Sequence, residues 1–270
     1  MARFGPRWVT RESPSQSAVT PVGATDFGGE HGPAVEAIAV ARPSVSLVVM
    51  AYNEAGTVAD VLREIDATLA PSGLTYEILV VDDGSDDGTG DIADSVATTL
   101  SGMRVLHHSA NRGIGEVYRT GFGAATGDNL TFLPADGQFP ATIVTQFAPL
   151  MANADLVVGY FTDMRRSPMA RVLSGCERVL YRCMFGSLPR FKGVMMFRRT
   201  LLSELRIKSG GRGWGVLMEI LVKANRAHMR ITSASTPLRA RKSGQSKVNN
   251  LRSIYANLVQ AIELRRALGR

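Results

Sequence analysis

Five short apolar runs, each closed by polar residues and separated from the next by a stretch with helical spacing, constrain this chain more than any other feature. They are SVSLVVMAYNE (44–54), YEILVVDDGS (76–85), MRVLHH (103–108), NLTFLPADGQ (129–138) and ADLVVGY (154–160). Runs rich in Val, Ile and Leu with little alternation read as strands buried on both faces. Between the first two, Thr57 to Leu69 places Val58, Val61, Leu62, Ile65 and Leu69 on one helical stripe. Gly88–Leu100, Ile114–Ala125 and Ala141–Met151 are read as the next helices. Repeated strand–helix units predict an α/β fold, an open and mostly parallel twisted sheet with helices on both faces. Ligands in such sheets bind beyond the carboxyl ends of the strands, where Asn53, Glu54, Asp82, Asp83 and Asp136 all fall.

Past Gly159 the pattern is less regular. It predicts a helix over Arg165–Phe185, a short strand over Gly193–Phe197, a helix over Trp214–Arg226 and a strand over Met229–Ala234. A last helix spans Asn250–Leu268, with an apolar stripe that includes Ile262 and Leu268 packed on its own domain or on a second subunit. The expected organisation is a disordered leader over 1–42, a catalytic domain over 43–236, a flexible basic loop over 237–249 and a C-terminal helix over 250–270. The leader mixes Gly, Pro, Ser and Thr without period and lacks the apolar centre of a signal peptide.

No segment of the chain reaches the ~20 apolar residues that span a bilayer, so work on a lipid would be done from the surface. Cys176 and Cys183 lie two turns apart on a predicted helix, too far for a disulfide, and this reads as a reducing, cytoplasmic setting. The net charge is +7, and of 31 basic residues only five are Lys. Arg excess suits phosphate recognition, and equally a GC-rich genome. Neither zinc-finger spacing nor interleaved aromatic and basic residues point to nucleic acid, which is set aside as a partner.

Several polar clusters have an ordinary structural reading beside a functional one. Asp86 and Asp87 read as helix-capping or solvated residues. Asp82 and Asp83, adjacent at a strand end, repel each other unless donors or a cation compensate, and a nucleotide base or ribose would serve. Gly113-Ile-Gly115 follows the third strand, not the first, so a dinucleotide cofactor is not expected; these glycines read as a helix start. Asp136, before Gly137 and Gln138, is either a turn residue or a ligand-binding carboxylate.

Together VVMAYNEAGTV (48–58), EILVVDDGSDDGTGDIA (77–93), NRGIGEVYRTGFGAATGD (111–128) and PADGQFP (134–140) resemble the family 2 glycosyltransferases of the GT-A fold, within them the dolichol-phosphate mannose synthase-like branch. The resemblance runs from about Ser44 to Lys247. It implies an enzyme that moves a sugar, with inversion, from a nucleoside-diphosphate sugar to a polyprenyl phosphate or related phosphate-bearing acceptor. Ala51, Tyr52, Glu54, Asp82, Asp83 and Gly113 would line the donor nucleotide pocket. Asp136, with Gln138, would hold Mg²⁺ or Mn²⁺ against the diphosphate, and Arg241 and Lys247 would neutralise it from a basic loop. Arg165, Arg166 and Arg171 would hold acceptor phosphate, and Glu219 would act as a base or pair with an Arg. Pro134 stands where the family's Asp-Ala-Asp begins, which predicts a weaker metal site. An Asp usual in related synthases is also missing from Leu188–Gly193.

Two alternatives stand beside this reading: a soluble transferase acting on a nucleoside or aminosugar, and a sugar-nucleotide-binding protein without catalysis. Association with the cytoplasmic face of a membrane and homo-oligomerisation are further expectations.

Overall fold

The computed structural model describes residues 43–161, 179–209, 215–239 and 251–268. Strand β1 (Val45–Ala51), helix α1 (Val58–Leu69), β2 (Tyr76–Asp82), α2 (Thr89–Ala97), β3 (Met103–His107), α3 (Ile114–Ala124), β4 (Asn129–Pro134), α4 (Thr142–Phe147) and β5 (Leu156–Tyr160) follow one another as the apolar runs predict. Then come β6 (Met195–Arg198), α5 (Leu201–Glu204), α6 (Gly215–Arg226), β7 (Ile231–Ser235) and α7 (Leu251–Leu268). Residues 179–185 are helical; the rest of the helix expected over 165–185 lies outside the described residues, as does the leader.

The sheet has seven strands in the order β3-β2-β1-β4-β6-β5-β7. All neighbours pair in parallel except β6, which runs antiparallel to both β4 and β5. Every residue of β1 is buried, because consecutive side chains enter cores on opposite faces. Val45, Leu47, Val49 and Ala51 pack with the α1 stripe and with Ile143, Val144 and Phe147 of α4. Val48 and Met50 pack with Val117, Tyr118 and Phe122 of α3 and Leu217 and Ile220 of α6. All five apolar residues of the predicted α1 stripe are buried.

Two details of the helices differ from expectation, while Cys183 is unbridged, as its spacing from Cys176 predicts. The helix expected to run to Met151 ends at Phe147 and tightens into a 3-10 turn over Ala148–Ala152, because Pro149 cannot donate to the preceding turn. The last helix docks through Ala261 and Leu264, which join Phe185 and Val222 in a small third core, whereas Ile262 faces outward. Cys183 is an exposed free thiol.

At the amino ends of the strands, buried Glu77 accepts from Ser46 Oγ at 2.6 Å, Thr126 N at 2.6 Å and Thr126 Oγ1 at 2.7 Å, and pairs with Arg104 at 2.9 Å. Burial pushes its carboxyl up, but these donors outweigh burial and bring it down to about 2. With the folded pKa below the unfolded one, the stabilisation is complete above about pH 4.5 and is lost as pH falls through about 2. In acid titration by chemical denaturation, wild type should therefore lose about 2 to 3 kcal/mol across that window. Glu77→Gln should already be weaker at pH 7 and show a flatter acid limb. The difference between the two curves isolates Glu77 from Asp155, whose carboxyl Arg230 also holds at about 2.

Candidate donor-binding site

The register of the sheet brings the candidate residues together. Ala51 lies beside Asp82 across β1 and β2, and Met50 beside Pro134 across β1 and β4. Two backbone bonds carry this alignment past the strand ends: Asp83 N donates to Ala51 O, and Ala135 N to Met50 O, each at 2.9 Å. The segments holding Tyr52 and Glu54, Asp82 and Asp83, and Asp136 thus leave one edge of the sheet side by side.

The first two of these loops are zipped together by side chains bonding to backbone. Asn53 takes a left-handed φ of 53°, which an Asn tolerates. Its N–H donates to Ser85 Oγ at 3.0 Å, and its side-chain oxygen accepts from Asp86 N at 3.1 Å. Glu54 N donates to Thr89 Oγ1, and Ala55 N to Asp87 Oδ2. Asp87 also accepts from Thr89 N just ahead of α2, but the N-cap position of that helix is Gly88, so the expected capping role passes to neither Asp86 nor Asp87. Burial would raise the Asp87 carboxyl, but these hydrogen bonds outweigh it and hold it below its usual range.

Asp82 and Asp83 avoid mutual repulsion by turning to different donors. Asp82 accepts from the Ser85 amide and hydroxyl and faces His107 Nδ1 at 3.3 Å. Asp83, almost fully buried, takes His108 Nδ1 at 2.6 Å, Arg112 N at 2.9 Å and Gly113 N at 2.8 Å. A carboxylate has only acceptors, so His108 donates from Nδ1; its other nitrogen meets Thr120 Oγ1 of α3 at 2.9 Å. Gly84 completes the joint: at φ 69°, a Cβ there would lie 2.5 Å from the carbonyl carbon of Ala110. Gly113, with φ 90°, begins α3, in keeping with the helix-start reading of the Gly-x-Gly pair. His108 was not singled out in the sequence, although a second His ending an apolar strand opposite two carboxylates is a visible signal.

Asp136 is buried at the exit of β4, and its Oδ1 accepts from Gln138 N at 3.0 Å. This is the contact that the turn reading expects. Among the described residues no group of three His, Cys, Asp or Glu side chains could hold a metal ion. With Pro134 in place of a second carboxylate, the donor set that the described residues offer at the exit of β4 is one carboxylate, too few for a protein-caged ion. It does fit a Mg²⁺ or Mn²⁺ bound through one carboxylate and completed by phosphate oxygens and water.

Glu219 on α6 lies in a different set of contacts. It is buried, pairs with Lys223 Nζ at 2.5 Å and accepts from the amides of Lys208 and Ser209 at 2.9 and 2.6 Å. The expected partner was an Arg; the structure supplies a Lys one helical turn on. Burial would raise the Glu219 carboxyl, but Lys223 and the Ser209 and Lys208 donors hold it below its usual range. Arg165, Arg166, Arg171, Arg241 and Lys247 lie outside the described residues.

Removing the Asp83 carboxylate would leave a buried imidazole N–H and two amides without acceptors. Asp83→Ala should accordingly lose about 3 kcal/mol in urea unfolding, read from the midpoint at unchanged slope. A loss below about 1 kcal/mol would mean that the joint between β2 and the loop before α3 is not held by this group.

Comparison with known proteins agrees with the fold. The chain is 26% identical over 229 residues to a dolichol-phosphate mannosyltransferase from Pyrococcus furiosus, an alignment covering 78% of this chain but 62% of that protein. It is 27% identical to an undecaprenyl-phosphate mannosyltransferase from Micrococcus luteus, covering 76% of this chain and 87% of that one. In fold it resembles glucosyl-3-phosphoglycerate synthase from Mycobacterium tuberculosis, solved with Mn²⁺, UDP and phosphoglyceric acid. The TM-score is 0.60 and the identity 22%, over 81% of this chain and 78% of that one. The architecture is that of the GT-A glycosyltransferases. The Glycosyl transferase family 2 profile matches residues 46–204, more than half of the sequence, and the chain belongs to that family.

Proposed function

We propose that this chain is an inverting glycosyltransferase that moves a sugar from a nucleoside-diphosphate sugar to the phosphate of a polyprenyl phosphate. The observation that carries the reading is the position of Asp136: a buried carboxylate beyond β4, next to the polar ends of β1 and β2, where such sheets bind nucleotides. The names of the Pyrococcus and Micrococcus relatives support the lipid-phosphate acceptor.

In the reaction an acceptor phosphate oxygen attacks the anomeric carbon from the face opposite the leaving group. The bond from that carbon to the diphosphate oxygen breaks, and the diphosphate departs with the electron pair. Charge accumulates on the leaving group, so groups aimed at the diphosphate lower the barrier. Asp136 and the Gln138 side chain are the residues that would hold Mg²⁺ or Mn²⁺ entering with the donor. The cation supplies charge neutralisation of the departing diphosphate. Arg241 and Lys247 are assigned to the same diphosphate, and Arg165, Arg166 and Arg171 to the acceptor phosphate. Tyr52 and Glu54, with Ala51 and Asp82, are assigned to the nucleoside; Asp83 and Gly113 shape its wall, since Asp83 already accepts three hydrogen bonds.

An acceptor phosphate is already an anion and needs no general base. Glu219, occupied by Lys223 and two amides, is assigned to the fold. Transfer from GDP- and UDP-sugars to undecaprenyl phosphate in detergent, followed by thin-layer chromatography, tests the reading. Asp136→Ala should lower kcat at least a hundredfold with little change in melting temperature. Glu219→Gln should lower stability by about 2 kcal/mol while keeping kcat per folded molecule within about threefold. Turnover of Asp136→Ala at the wild-type rate, or loss of turnover in a fully folded Glu219→Gln, would reverse these assignments.

A further inference from the structure

The segment 135–141, which carries Asp136, is held from four directions, each by a residue more than 75 positions away in the sequence. Ala135 N is bonded to Met50 O, and its carbonyl accepts from Thr57 Oγ1 at 2.7 Å. Thr57 is the residue before α1, yet its hydroxyl does not cap that helix. Further along, Gln138, whose amide binds the Asp136 carboxylate, offers its carbonyl to Arg239 N at 2.8 Å. Ala141 N donates to Glu64 Oε1 at 3.3 Å. The circuit closes on itself: Arg239 Nη1 lies 2.9 and 2.7 Å from the two oxygens of Glu64.

We infer that the Glu64–Arg239 ion pair is a positioning device for Asp136, setting the turn so that the carboxylate meets the diphosphate end of the donor. The inference rests on the proposed donor reading. Two features separate it from ordinary surface pairing. First, the pair joins residues 175 apart in sequence, and each partner also holds the backbone of the Asp136 segment, at Gln138 and at Ala141. Second, the side chains are 43% and 32% exposed, and a pair so accessible to water contributes little to stability. The pair therefore does little for the fold as a whole, while it restrains a segment whose geometry the reaction needs. Small displacements of a positioned group cost large factors in rate or affinity. Glu64 and Arg239 are positioning residues, acting through the turn and not on the donor.

The test is calorimetric titration of the full-length chain with GDP and with UDP, each with and without Mn²⁺. Wild type, Arg239→Ala, Glu64→Ala, the double variant and Arg239→Lys are compared, with melting temperatures measured alongside. Both single alanine variants should bind the preferred nucleotide about tenfold more weakly in the presence of Mn²⁺, with a smaller loss in its absence. The double variant should be no weaker than either single one, and Arg239→Lys should recover part of the affinity. Melting temperatures should stay within a few degrees of wild type. Wild-type affinity in both single variants, additive losses in the double variant, or a large drop in melting temperature would each overturn the positioning role while leaving the donor reading intact. If the wild type binds neither nucleotide, the donor reading falls and the inference falls with it.

Discussion

A parallel sheet covered on both faces leaves no room for polar chemistry along its strands, so it is displaced to their ends. In this chain β1 is buried at all seven positions, alternate residues feeding two separate cores. Whatever binds a charged ligand must then emerge where β1, β2 and β4 stop. The backbone bonds from Asp83 to Ala51 and from Ala135 to Met50 extend the sheet's alignment just past those ends. They bring the polar segments into one neighbourhood before any side chain is considered.

Within that neighbourhood the carboxylates divide the work by environment. Asp87 and Asp83 are consumed in tying loops to one another, and Asp82 is turned toward Ser85 and His107. Asp136 accepts from the amide of its own turn and sits on a segment braced by Thr57, Glu64 and Arg239. One carboxylate is a sparse set for a divalent ion, and Pro134 ends the strand where a second would be expected. Our reading is of an ion that arrives with a diphosphate.

Much of the fold was legible in the sequence because it depends on periodicity. The α1 stripe, the buried strands and the clustering of polar residues at strand exits all follow from apolar spacing. The direction of β6 was not legible, since a four-residue strand, Met195–Arg198, carries no sign of which way it runs. The shortened α4 was in fact announced by Pro149. Glu219 and Lys223, four apart on a helix, could have been recognised as a pair, and the expectation of an Arg overlooked that spacing. The bracing of Asp136 by Glu64 and Arg239 is different in kind: partners 175 residues apart meet only once the sheet has formed, and no local pattern marks them.

The central claim is that Asp136 and the ends of β1 and β2 form a donor site whose cation comes with the diphosphate. Paramagnetic broadening of backbone amide signals by Mn²⁺, recorded with and without GDP or UDP, tests it most directly. The account predicts broadening centred on Asp136, Gly137 and Gln138 only when the nucleotide is present. Broadening there by Mn²⁺ alone would mean a resident metal site, and broadening centred elsewhere in the presence of nucleotide would contradict the account.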